Sequence, residues 1–118
     1  MNLIVEVRTG REQVTMACRG VLVGGREAEV FRRNAILLLG GFDKLTVDVA
    51  EITALDCAGV GSLAAVAAHA FRLGKTIQIS RAGATVREIL RIAHLEHLLA
   101  PERRHRPGFV PDRQAVLA

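Results

Sequence analysis

Between Leu45 and Ser62 the chain reads LTVDVAEITALDCAGVGS, and this stretch limits the fold more than any other. Lys44 to Val49 alternates apolar and polar residues as a strand does. A short loop then leads to Asp56 and Cys57. From Ala58 to Leu73 the apolar residues Val60, Leu63, Val66, Ala67, Ala70 and Phe71 predict a helix, apolar almost all round and therefore largely covered. Asp56 stands at the N-cap, where a carboxylate accepts from the first free backbone N–H groups. Cys57 lies at the positive end of the helix dipole. A strand that empties through a tight loop onto a helix start is where α/β sheets present chemistry or recognition.

The flanking sequence supplies the rest of such a sheet. Leu3 to Arg8 and Gln13 to Arg19 alternate as two strands about a turn at Thr9–Glu12, with Val14, Met16 and Cys18 on one core-facing side. The GVLVGG run, Gly20 to Gly25, reads as a flexible stretch. Arg26 to Leu39 predicts a helix through Ala28, Phe31, Ala35 and Leu38, ended by Gly40-Gly41 in a left-handed cap. Gly74 caps the central helix. Lys75 to Ser80 reads as a strand and Ala82 to Ala93 as a last helix, with Leu95, Leu98 and Leu99 in a final turn. From Pro101 to Ala118 all three prolines gather with Arg103, Arg104, Arg106 and Arg113, which reads as a flexible basic tail.

At 118 residues, half of them hydrophobic, the chain suits one domain with a Val, Leu, Ile and Ala core. The net charge of +4 invites a nucleic-acid reading, but the tail holds half of that excess, and four Phe with no Trp or Tyr leave no stacking platform. No direct nucleic-acid role is expected. Cys18 and Cys57 form no CxxC pair, MNLIVEVRTG is no signal peptide, and no apolar run is long enough to span a membrane. A cytoplasmic protein without membrane insertion is the expectation.

An enzyme reading rests on Cys57 and the glycine-rich run after it, since phosphatase and sulfur-transfer loops cradle an anion at a helix start. Those loops need an arginine to clamp the anion. None occurs between Cys57 and His69, and a neighbouring carboxylate disfavours a thiolate. No catalytic residue is assigned. His94 and His97 share helical spacing but have only Glu96 beside them, too thin a set for a metal. No metal or cofactor is expected.

The order strand, strand, helix, strand, helix, strand, helix, with VDVAEITALDCAGVGSLAAV at its centre, resembles the STAS family, the anti-sigma factor antagonist and sulfate transporter domains. Asp48-Val49 matches the family's aspartate-bearing strand, and Asp56, Gly59 and Gly61 match its aspartate–serine–serine–glycine-x-glycine signature. Leu73-Gly74-Lys75 and Ile92 to Leu99 match later elements. The resemblance implies a mixed sheet of about four strands with helices packed against it over residues 1–100, and a separate tail over 101–118. It also implies a non-catalytic regulatory module that binds a partner through Gly20, Val21, Leu22, Val23 and Gly24 together with Asp56, Cys57, Ala58, Gly59, Val60 and Gly61. Two departures stand out. The family's phosphoacceptor follows the aspartate, and here that position is Cys57, with Ala58 next, so serine phosphorylation should have no target. The glycine–glutamate–leucine–aspartate pattern of the early loop keeps only Gly20. The resemblance points to an anti-sigma factor of the histidine-kinase-like ATPase type as partner. The alternatives are the ATPase of a lipid-transport ABC complex, a homodimer or larger self-assembly, and a thiol-based sulfur-transfer or redox-sensing role for Cys57.

Overall fold

A computed structural model of the chain describes residues 3–101. The expected tail, apart from Pro101, lies outside them. Four strands form one mixed sheet in chain order: β1 (Leu3–Thr9), β2 (Gln13–Leu22), β3 (Lys44–Leu55) and β4 (Thr76–Ser80). β1 and β2 are an antiparallel hairpin, while β2–β3 and β3–β4 are parallel pairs crossed by α1 (Gly24–Leu39) and α2 (Cys57–Arg72). Helix α3 (Ala84–Ile92) and a 3₁₀ turn at Glu96–Leu98 are the last elements among the described residues. The expected mixed α/β sheet is the one observed.

Strand alternation sorts the two faces of the sheet. Val14, Met16, Cys18, Leu45, Val47 and Ile79 are all at most 2% exposed and pack against Phe31, Ala35 and Leu39 of α1 and Leu63, Val66 and Ala70 of α2. Cys18 takes the small-apolar role expected of it. Burial, helped by the nearby Asp48 charge, pushes its thiol up to about 12. The opposite face carries Thr15, Ala17, Thr46 and Gln78. There Arg81 holds both carboxylate oxygens of the buried Asp48, at 2.5 and 3.2 Å.

Four expectations are corrected. Gly20–Leu22 is not a loop: β2 runs on to Leu22, because β3 also runs on, to Leu55, and Gly20, Val21 and Leu22 pair with Ile52, Ala54 and Leu55. β3 takes an extra residue at each of two register shifts, which breaks its alternation. Asp48 stitches the first by accepting from the Ala50 N–H at 3.0 Å, and the Thr53 hydroxyl donates to the Gly20 carbonyl at 3.1 Å beside the second. Neither Gly40 nor Gly41 is left-handed; Gly40, at φ −70°, donates its N–H to the Leu37 carbonyl and Gly41 donates to that of Leu38, so two i→i+3 bonds close α1. Gly74, at φ +71°, does adopt the left-handed form after α2. The last helix is shorter than expected, starting at Ala84 after an extended Gly83. Finally, α2 is not covered all round. Only Gly59, Ser62, Leu63, Val66 and Ala70 are buried, and Phe71 is 85% exposed. No helix among the described residues is long and apolar enough to cross a membrane.

Candidate functional site

α1 and α2 lie side by side over the sheet, and both ends of α1 are tied to residues that flank α2. At the start of α1 the N-cap position is Val23, which has no capping side chain. The missing acceptor comes from across the fold. Asp56, extended at φ −119°, ψ −172°, caps its own helix by accepting from the Gly59 N–H at 3.0 Å, while its other carboxylate oxygen accepts from the Gly24 N–H at 2.9 Å. One carboxylate therefore terminates two helix dipoles at their positive ends. These donors, Gly59 first and then Gly24, hold its carboxyl below the usual aspartate range. At the far end the Lys75 ammonium donates to the carbonyl of Leu39, the complementary charge for a helix C-terminus. Gly24 sits at φ +74°, a left-handed conformation that lets α1 turn directly out of β2 toward Asp56.

This bridge brings together the two segments that the sequence reading joined. The β2 end and α1 start lie against the β3 end and α2 start, with the Asp56 N–H 3.5 Å from the Leu22 carbonyl. Gly24, Asp56, Cys57, Ala58 and Gly61 are exposed, and Gly20, Val21, Val23 and Val60 are half-buried. Two expected surface residues are buried instead. Leu22 is a core side chain at 1% exposure. Gly59 lies in the seam beneath: a Cβ there would stand 2.2 Å from the Leu22 carbonyl oxygen and 2.7 Å from Leu55 Cδ1. A Cβ at Gly61 would meet nothing within 4 Å, so that glycine answers no packing need. Ser62, the hydroxyl closest to Cys57 in the helix, is buried and donates to the Gly59 carbonyl at 2.7 Å. Cys57 is an exposed free thiol in the first turn of α2.

Two features went unread in the sequence. Thr53 places an exposed hydroxyl three residues before Asp56, on the face shared with Gly20. Arg81, in the left-handed region at φ 58°, reaches the buried Asp48. An acid set between Val47 and Val49 in a core strand was the available signal for that pair. Among the described residues no group of three or more His, Cys, Asp or Glu gathers as a metal would require.

Comparison with known proteins places these observations in context. A family model described as "Mlab, STAS domain" matches residues 5–100. No curated protein matches the chain. Among solved structures, the anti-sigma factor antagonist SpoIIAA in its unphosphorylated form superposes with a TM-score of 0.73 at 14% identity, over 96% of this chain and 93% of that one. Its phosphorylated form, described as a Bacillus cell fate determinant, gives 0.69 at 14% identity over 96% of each chain. The STAS domain of a SulP transporter from Vibrio cholerae gives 0.56 at 22% identity, over 79% of this chain and 72% of that one. At these identities the likeness is one of fold.

Proposed function

Because the chain belongs to the STAS domain family, we propose that it is a non-catalytic protein-binding module of the anti-sigma factor antagonist kind, acting in the cytoplasm and insensitive to serine phosphorylation. Residues 1–100 form the binding domain and residues 101–118 a separate basic tail. Its docking face comprises Gly20, Val21, Val23 and Gly24 with Asp56, Cys57, Ala58, Val60 and Gly61, seated on the seam made by Leu22 and Gly59. The observation that carries this reading is the Asp56 bridge, which locks two helix starts into one small-residue surface. Such a surface can be approached closely by a partner.

Cys57 occupies the phosphoacceptor-equivalent position. A phosphate there would add about −1.5 to −2 charge beneath a docked partner. The helix start tolerates that charge, while a close-packed interface does not. A thiol offers no such group to a serine/threonine kinase, so the off-position is lost. The partner in this reading is an anti-sigma factor of the histidine-kinase-like ATPase type, with a sigma factor released on binding.

A second reading makes the chain the STAS subunit of a lipid-transport ABC complex; the SulP transporter from Vibrio cholerae, a transporter of another class, is an instance of this fold serving a transport protein. Both readings use the same face. Co-purification from native lysate separates them: an ATPase-fold kinase supports the first and an ABC ATPase the second. Retained binding by Gly61→Arg, a substitution into open space that spares the fold, would move the interface elsewhere. A partner's kinase is expected to leave the natural chain unlabelled and to label Cys57→Ser. Labelling of the natural chain at Ser62 or Thr53 would overturn the phosphorylation claim.

A further inference from the structure

The two outer edges of the sheet are treated differently. Beyond β4 the chain covers its own edge: Leu99 bridges Ile79, and the Ala100 N–H donates to the Ile79 carbonyl at 2.7 Å. Beyond β1 nothing among the described residues pairs. An uncovered strand edge carries a row of unpaired backbone donors and acceptors, a template for another strand. β1 is seven residues long and exposes apolar side chains on both faces, Val7 at 45% on the core side and Ile4 at 59% on the polar side. Proteins blunt such edges with a short strand, a proline or a lysine. β1 is not short and has no proline or lysine; its only charged side chains are Glu6 and Arg8, of opposite sign.

Its charges identify what fits. Glu6 and Arg8 share the polar face, opposite Ala17 and Thr15 of β2, and form an ion pair at 3.1 Å. When β1 meets a second β1 antiparallel about a two-fold axis through Val7, Glu6 falls opposite the partner's Arg8 and Arg8 opposite the partner's Glu6. Val7 meets its own copy, and Val5 meets Thr9. An axis through Glu6 instead sets two glutamates face to face. One through Val5 puts Glu6 against Ile4 and runs Arg8 past the start of the partner's strand. Opposite charges directly across a strand pair stabilise it and like charges oppose it, so the sequence selects the Val7 register.

We propose that β1 is a homodimerisation edge, joining two copies of this chain antiparallel about Val7 into one eight-stranded sheet. This interface lies on the opposite flank of β2 from β3 and Asp56, so each copy keeps its docking face. It also stands independently of which partner that face takes.

Sedimentation of the full chain from low micromolar to millimolar concentration tests the proposal. The expected result is a reversible monomer–dimer equilibrium. Glu6→Arg, which sets four cations against one another, should weaken it about tenfold or more, and adding Arg8→Glu should restore it. Thermal melts of both variants check that they fold. In a Cys57→Ser background, Val7→Cys should give a disulfide-linked dimer on mild oxidation and Val5→Cys should not, because only a residue on the axis meets itself. A chain monomeric at every concentration overturns the proposal. So does a dimer indifferent to Glu6→Arg, or one in which Val5→Cys links as readily as Val7→Cys. Pairing of β1 with a strand of a different protein would appear as the first of these outcomes.

Discussion

At Asp56 one carboxylate accepts from amides of two helices, so its titration reports on both. Its proton affinity is lower in the folded chain than in the unfolded one. The resulting stability is present above the ordinary aspartate range and is lost as pH falls through the lower folded value. Glu29 and Glu88, held low by Arg32 and Arg91, leave a residual acid slope. Asp56→Ala should therefore lower Tm at neutral pH by about 5 °C and flatten the decline between neutrality and pH 3, as melts across that range would record. The glycines of the same turn should behave in opposite ways. Gly59→Ala drives a methyl group into the Leu22 carbonyl and should cost about 3 kcal/mol or more in urea unfolding. Gly61→Ala enters open space inside a helix and should be neutral or stabilise by up to about 1 kcal/mol. The sequence alone made both look like signature glycines; only the approach of β2 tells them apart.

Among the elements, those set by local pattern were legible. Gln13–Arg19, Lys44–Val49 and the helix begun by Asp56 follow from alternation, helical period and a capping residue, and each is present. What escaped was decided by partners distant in sequence. Gly20–Leu22 looks flexible between its glycines, yet it becomes strand because Ile52–Leu55 lies alongside. That stretch of β3 in turn lost its alternation to two inserted residues, so Ala50 to Ala54 did not read as strand. For α2 the composition was apolar all round, and composition does not say how many neighbours a helix has. Its outer face is open, so Phe71→Gln should change stability by no more than about 0.5 kcal/mol. A larger loss in chemical denaturation would mean that this ring is covered in solution.

At the scale of the molecule, Leu98 in the core and Ala100 on the edge of β4 are the last packed positions among the described residues. Removing residues 102–118 should leave Tm unchanged within error, and calorimetry of the shortened chain checks this. The candidate site was legible as one face only through the family resemblance, because no local signal reveals that Asp56 reaches Gly24. That reach has an evolutionary corollary. Replacing Asp56 or Gly59 to suit a new client would loosen the scaffold along with the contact. On the proposed docking face, drift in binding preference would thereby be channelled into exposed positions such as Ala58 and Gly61, the latter with open space for a side chain.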